Sequence, residues 1–188
     1  MLWIILGVIV VFVLVLISIY NGLVAKKIRV DEAWSQIDVQ LKRRHDLIPN
    51  LVETVKGYMG HERGVLESVT GLRAKIDATA DPNSRLAMEG QLGTALSRLF
   101  AVAENYPALR ASENFLSLQQ ELAAIEGELQ LSRRYYNGAV RDFNTRVQSF
   151  PANLVAGSFG FTAAPSFEIE NPADREAPKV RFDGGAGS

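Results

Sequence analysis

The sequence contains no cysteine and only two histidines among its 188 residues. Without cysteine the chain can form neither a disulfide nor the lipid-modified cysteine of a bacterial lipoprotein. The absence does not decide between a reducing cytoplasm and a periplasm. Basic and acidic residues nearly balance, with 20 Lys and Arg against 21 Asp and Glu. A nucleic-acid-binding protein usually has a basic excess, so no nucleic-acid partner is expected.

Motifs for metal binding, nucleotide binding and nucleophilic catalysis are also missing. A di-iron helical bundle needs a Glu three residues before a His, but Lys42 and Tyr58 occupy those positions before His45 and His61. The second His of a zinc-protease helix would fall at Val65, and neither a phosphate-binding loop nor a nucleophile elbow occurs. We therefore expect no enzyme activity, no metal and no cofactor.

The longest feature that is present is an uncharged apolar run from residue 2 to residue 25. A helix needs about 20 apolar residues to cross the hydrocarbon core of a bilayer, and this run is long enough. A cleaved signal peptide would need a basic start, a shorter apolar stretch and a small-residue cleavage site, which this sequence does not show. We predict a single-pass transmembrane anchor at residues 1–25, with the lipid bilayer as its partner.

Basic residues follow the apolar run, and none precedes it. Lys26, Lys27 and Arg29 form a juxtamembrane basic cluster directly after the run. Because basic residues are retained on the cytoplasmic side of a membrane, we predict an outside N-terminus and a cytoplasmic domain. The cluster either serves as this topology signal alone or also contacts anionic lipid head groups.

The rest of the chain carries the apolar spacing of long helices. Apolar residues recur at alternating steps of three and four from residue 30 to residue 76, the pattern of a helix in a bundle or coiled coil. Pro49 interrupts this first helix and predicts a kink or a restart. Pro107 ends a second helix, and Pro151 ends a third. We predict an all-α fold, in which a transmembrane helix continues into a bundle of three to four antiparallel long helices at residues 26–150.

The pattern changes after Pro151. Residues 151–170 contain clustered Phe, Gly and Pro, and we predict that they form an apolar strap that packs on the bundle. Residues 171–188 are rich in Pro, Gly and charged residues without periodicity, which predicts a disordered tail.

Polar residues that interrupt the apolar seams predict a network between the helices. Its predicted members are His45, Asp46, Glu62, Glu104, Glu121, Glu126, Arg133 and Asn137. We interpret them as a buried or half-buried structural network that fixes the register of the helices. A carboxylate-rich site for a small ligand or ion is the alternative interpretation.

The membrane-proximal part of the first helix would stay partly uncovered if three helices of such unequal length packed together. The apolar residues predicted there to contact a second copy are Ile28, Val30, Trp34, Ile37 and Leu41. Anchoring also confines the copies to a plane, which raises their effective concentration. We predict a homo-oligomer that acts as a self-associating scaffold, with other membrane proteins as further candidate partners. The alternative is a membrane-tethered sensor or binding module that uses the polar network.

Five stretches of the sequence resemble the LemA family. They are YNGLV at 20–24, VDEAWSQIDVQLKRRHDLIPNLV at 30–52, AENYP at 103–107, RRYYN at 133–137 and FP at 150–151. The resemblance extends from the apolar run to about residue 167. It implies a helical-bundle protein of the bacterial inner membrane with an exterior N-terminus, and it supplies neither an activity nor catalytic residues.

Overall fold

The computed structural model describes residues 1–59, 62–79 and 82–167. This part of the chain forms six helices: α1 (Leu2–Lys56), α2 (Arg63–Ala78), α3 (Pro82–Ala103), α4 (Pro107–Arg110), α5 (Glu113–Gln148) and α6 (Ala152–Ser158). The described residues contain no β-strand, and the all-α prediction is confirmed. The predicted tail at 171–188 lies outside the described residues, as do residues 168–170 and His61.

The central element is α1, a continuous helix of 55 residues. Residues 1–18 are exposed, and this end of α1 is long and apolar enough to cross a membrane. The same helix then enters the bundle. Pro49 lies inside it, so the helix does not restart there. The packing of Ile48, Leu51 and Val52 in the apolar core holds the helix together across the one backbone hydrogen bond that a proline cannot donate.

The first predicted helix is in fact two helices. The seam from residue 30 to residue 76 predicted one long helix, but α1 ends at Lys56 and the N–H groups of Tyr58 and Met59 both donate to the Val55 carbonyl at 3.0 Å. Gly57 follows the last helical residue, and glycine is a poor helix former. Folding back also buries α2 against α3, whereas a straight extension would leave its apolar face in water.

Three apolar clusters lie in sequence along α1 and α5. The distal core joins residues 48–55 of α1 to α2, α3, α4 and the start of α5. The middle core joins residues 30–41 of α1 to residues 125–143 of α5. The proximal core joins Ile19 and Leu23 of α1 to α6. Because the partners appear in opposite order along the two helices, α1 and α5 are antiparallel.

The chain folds back beside α1 after α5 ends at Gln148. Pro151 precedes α6, and Gly160 ends the turn after α6 with a positive φ of 74°. The Phe161 N–H donates to the Ala156 carbonyl at 3.0 Å, the arrangement of a Schellman cap. Residues 161–167, which we call the extended segment, then return along α5 and pack on the middle core.

Three of the residues predicted to contact a second copy are instead buried within the chain. Val30, Ile37 and Leu41 lie in the middle core against α5, so that part of the prediction is wrong. The physical reason is the length of the helices. With α2 folded back, the 36 residues of α5 are enough to cover α1 from the end of the apolar run to Lys56.

The other two predicted contact residues differ from each other. The Trp34 ring lies 5.7 Å from the Phe167 ring and 5.6 Å from the Tyr136 ring, measured between centroids. Trp34 therefore holds the extended segment on the bundle and is only half-buried. Ile28 remains exposed, so it is the one residue of the five whose side chain stays largely free.

Candidate functional site: a charged layer between two apolar cores

Two consecutive residues of α1, Arg44 and His45, carry polar groups into the bundle. Leu41 and Ile48 lie about one turn before and after Arg44, which places all three on the buried face of the helix. Arg44 is 1% exposed and Glu89 of α3 is 0% exposed. Arg44 forms an ion pair with the Glu89 carboxylate, and its Nη2 also donates to the Glu89 carbonyl oxygen at 3.1 Å.

Further contacts join this pair to α2 and α5. Arg44 Nη1 donates to Glu126 Oε2 at 3.0 Å. His45 Nδ1 lies 3.2 Å from Asp77 Oδ1, and His45 Nε2 lies 2.9 Å from Glu89 Oε1. We call these five residues the charged layer. They come from α1, α2, α3 and α5, so each long helix of the bundle contributes at least one side chain.

The charged layer lies between the distal and middle cores. On α1, Leu41 belongs to the middle core and Ile48 to the distal core, with Arg44 between them. On α5, Leu122 belongs to the distal core and Ile125 to the middle core. A shift of one helix along another would therefore leave Arg44 opposite apolar residues, which a buried charge does not tolerate. The layer is positioned to fix the register of the bundle.

The electrostatics of the layer favour an ionised Glu89. Burial by itself raises the pKa of this carboxyl, because a charge is poorly solvated inside the bundle. The polar contact with His45 and the positive charge of Arg44 outweigh burial, and they hold the pKa of Glu89 below its usual value. The buried ion pair of Arg44 and Glu89 is consequently present at neutral pH.

A cleft of about 490 Å³ opens beside the charged layer between α3 and α5. Its lining includes Arg44, Glu89 and Glu126 of the charged layer, together with Arg133. The Nε atoms of Arg44 and Arg133 are buried and have no hydrogen-bond partner. In the described part of the chain, no three His, Asp or Glu residues are arranged to hold a metal ion.

Two residues predicted for the polar network, His45 and Glu126, lie in the charged layer. The structure separates four others from it. Asp46 is exposed and pairs with Lys42, one turn earlier on α1, at 3.1 Å. Glu104 and Glu121 are exposed, and Glu62 is half-buried at the start of α2. Asp46, Glu104 and Glu121 were predicted to be buried or half-buried, and this part of the prediction is wrong because their side chains are exposed. Glu62 is half-buried but does not belong to the charged layer.

The last two predicted members, Arg133 and Asn137, contact the extended segment. The Arg133 guanidinium lies 5.7 Å above the centre of the Phe167 ring. Asn137 Nδ2 donates to the Phe167 carbonyl at 3.1 Å, and the Phe167 N–H donates to Asn137 Oδ1 at 2.8 Å. These residues hold the chain after α6 against α5.

Sequence reasoning missed Arg44, Asp77 and Glu89. Arg44 follows Leu41 by three residues, so it falls on the same helical face as the seam, although His45 was the residue placed there. Glu89 lies three residues before Leu92, at a position where the apolar seam of the second helix lacks an apolar residue. A carboxylate at such a position was the available signal. Asp77 is exposed at the end of α2 and carries no signal of its own.

The juxtamembrane basic residues lie on α1 directly after the apolar run. Lys27 Nζ lies 2.5 Å from Asp31 Oδ1, one turn along α1. Lys26 Nζ lies 3.9 Å from Asp142 Oδ2 of α5. Arg29 is exposed.

Comparison with known proteins supports the resemblance found in the sequence. The model of the LemA family matches residues 33–182. Protein LemA of Metamycoplasma hominis is 28% identical over 147 residues, covering 78% of this chain and 67% of that protein. Magnetosome protein MamQ 2 of Paramagnetospirillum magneticum is 24% identical, with coverages of 88% and 70%. MamQ of Magnetospirillum gryphiswaldense is 23% identical, with coverages of 87% and 70%. The chain belongs to the LemA family.

Proposed function

We propose that this protein is a non-catalytic scaffold of the bacterial inner membrane that associates with copies of itself. The observation that carries the proposal is the continuity of α1, which contains both the apolar run and the central helix of the bundle. A helix without a break passes the position and tilt of the anchor directly to the domain. A flexible linker, which suits an enzyme tethered near a membrane, is absent from α1.

The interior of the bundle supports a structural role. Its buried charges, Arg44 and Glu89, are bound to each other and lie between two apolar cores. Such a layer gives the bundle one register. The names of two relatives, Protein LemA and magnetosome protein MamQ 2, specify no chemical reaction.

The orientation that we propose has the N-terminus outside and the bundle in the cytoplasm. Lys26, Lys27 and Arg29 lie within one turn after the apolar run. Basic residues at this distance from a span set its topology. Other membrane proteins are further candidate partners in this location.

Because Val30, Ile37 and Leu41 are buried within the chain, the proposed contact between copies uses another surface of the bundle. Three of the exposed large apolar side chains on the bundle itself are Val39 of α1 and Leu131 and Tyr135 of α5. Leu131 and Tyr135 are four residues apart and so lie on one face of α5. Anchoring in a plane raises the effective concentration of such faces. We assign the contact between copies to the face of α5 that carries Leu131 and Tyr135.

The experiment is cross-linking of the full-length protein in membranes at native expression. Single cysteines at exposed positions such as Gln36, Lys42 and Glu128 are treated with a short bifunctional maleimide. We expect a dimer or a larger ladder. Leu131→Glu should weaken the ladder, whereas Gln130→Glu, which adds the same charge one residue away, should leave it unchanged. A monomer at every tested position would refute self-association.

The cleft beside the charged layer favours a second candidate function, a membrane-tethered binding module. The volume of the cleft suits a small molecule. The Nε–H groups of Arg44 and Arg133, which have no hydrogen-bond partner, could donate hydrogen bonds to that molecule. A binding module should show a thermal shift with a small anionic metabolite, and Arg133→Met should abolish the shift. A scaffold should show no shift.

A further inference from the structure

The chain around α6 is uncharged and exposes large apolar side chains. From residue 147 to residue 167 the sequence contains no Asp, Glu, Lys or Arg. Phe150, Leu154 and Phe159 are 79%, 63% and 65% exposed. Within the described domain outside the anchor, these fractions are high for apolar residues, and the three lie within ten residues of one another. An isolated exposed apolar residue is ordinary, but a group of them marks a contact surface.

The position of α6 along α1 identifies the environment of this surface. Ala152, Val155 and Ala156 of α6 pack on Ile19 and Leu23 of α1. Both α1 residues belong to the uncharged apolar run, three and seven residues before Lys26. At about 1.5 Å per residue, they lie roughly 5–10 Å toward the membrane from the first basic side chain.

Aromatic contacts place the ends of α6 at the same level. The Tyr20 ring lies 4.9 Å from the Phe159 ring and 5.8 Å from the Phe161 ring, measured between centroids. Tyr and Trp are enriched where a membrane span meets the head groups. A hydrocarbon core of about 30 Å that begins near residue 2 would end near residue 22. If the apolar run crosses the bilayer, α6 lies beside the boundary between acyl chains and head groups.

We propose that α6, together with Phe150 and Phe159, lies in the interfacial layer of the bilayer that holds α1, as a second membrane contact. This inference rests on the proposed anchor. Lipid must surround α1 at the level of Ile19 and Leu23 on every side that α6, Val147 and Phe161 do not cover. The outer face of α6 is at that same depth, so lipid also meets Leu154.

The composition of α6 fits the interface better than the hydrocarbon core. Asn153 and Ser158 are exposed beside Leu154, and polar groups among apolar ones suit the boundary between acyl chains and head groups. A second contact has a mechanical consequence. A domain anchored by a single helix can rotate about the long axis of that helix. A contact of α6 with the bilayer would fix which side of α1 leans toward the membrane surface.

The test uses the full-length protein in vesicles of phosphatidylcholine and phosphatidylglycerol. Because the chain has no cysteine, single cysteines at Val10, Gln120, Leu154 or Phe159 can each carry an environment-sensitive fluorophore. Lipids with a nitroxide at a shallow acyl position quench only labels near that depth. We expect a loss of fluorescence at Leu154 and Phe159, because an interfacial helix buries its apolar face about 5–10 Å into the boundary between head groups and acyl chains. We expect no loss at Gln120, near the distal end of α5.

The label at Val10 separates this inference from the proposed anchor. Quenching at Val10 by a deep nitroxide, without quenching at Leu154 and Phe159, would overturn the interfacial contact and leave the anchor intact. No quenching at Val10 would overturn the anchor itself. Labels at Leu154 and Phe159 that are shielded from aqueous iodide but not quenched by nitroxide lipids would show that a protein covers α6, and would also overturn the inference.

Discussion

Asn144 and Ala164 exchange two hydrogen bonds between α5 and the extended segment. Asn144 Nδ2 donates to the Ala164 carbonyl at 2.9 Å, and the Ala164 N–H donates to Asn144 Oδ1 at 2.8 Å. Asn137, two turns earlier on α5, makes the same pair of bonds with Phe167. A segment outside helices and sheets needs such partners for its backbone groups. The two asparagines thus fasten the extended segment along α5.

Replacing Asn144 with Ala should release the extended segment without unfolding the bundle. The change removes both bonds to Ala164, at a net cost of about 1 kcal/mol for each hydrogen bond. Amide hydrogen exchange at Ala164 and neighbouring residues should become faster, while exchange in α1 and α5 stays slow. Asn153→Ala removes an exposed asparagine of α6 and is the matched control. Equal exchange in both variants would contradict the fastening role.

Removal of Glu89 should destabilise the bundle far more than removal of a surface carboxylate. Glu89→Ala leaves Arg44 as a buried charge without its main partner, which costs about 3–5 kcal/mol. Glu121→Ala removes an exposed carboxylate of α5, and changes of this kind usually stay within about 0.5 kcal/mol. Thermal or urea unfolding of both variants in detergent measures the difference. Comparable losses would mean that the charged layer does not fix the bundle.

The charged layer should also make stability depend on acidity. The pKa of Glu89 is lower in the folded protein than in the unfolded chain. Its contribution is therefore complete above the unfolded glutamate pKa of about 4.3, and it is lost as the pH falls through the folded value. The difference in unfolding free energy between the native protein and Glu89→Gln should shrink as the pH is lowered from 7 to about 3. Glu121→Gln, which changes an exposed carboxylate of α5 in the same way, is the matched control.

Helical spacing was enough to predict the fold class, because apolar residues at steps of three and four record which face of a helix is buried. It could not predict that α1 and α2 are separate helices. The seam continues across Gly57 and Met59 in phase, so periodicity gives no sign of the turn. The turn is favoured by the free energy gained when α2 packs on α3. That free energy depends on contacts between residues distant in sequence.

The charged layer was harder to predict than the fold for a related reason. His45 and Glu126 could be found because they interrupt or border apolar seams. His45 has two polar neighbours, Arg44 and Asp46. Which of the two turns inward depends on the angle at which α1 meets α3 and α5. A spacing of 3.6 residues per turn does not fix that angle to within one residue.

The proposed membrane topology rests on the basic residues after the apolar run, and it can be tested with two positions. The native chain has no cysteine, so Leu2→Cys and Gln120→Cys each introduce a single thiol, and Gln120 is exposed on α5. A membrane-impermeant maleimide on intact spheroplasts should label position 2 and spare position 120, because Lys26, Lys27 and Arg29 keep the bundle inside. Detergent should then expose position 120 to the same reagent, which shows that the thiol itself is reactive.

Labelling of position 120 but not of position 2 before detergent would place the bundle outside and reverse the proposed orientation. Labelling of both positions before detergent would show that the apolar run does not place them on opposite sides of a membrane. Converting Lys26, Lys27 and Arg29 together to Gln should weaken the asymmetry, whereas converting the exposed Lys42, Arg43 and Arg110 should not, since the rule acts most strongly near the end of the span.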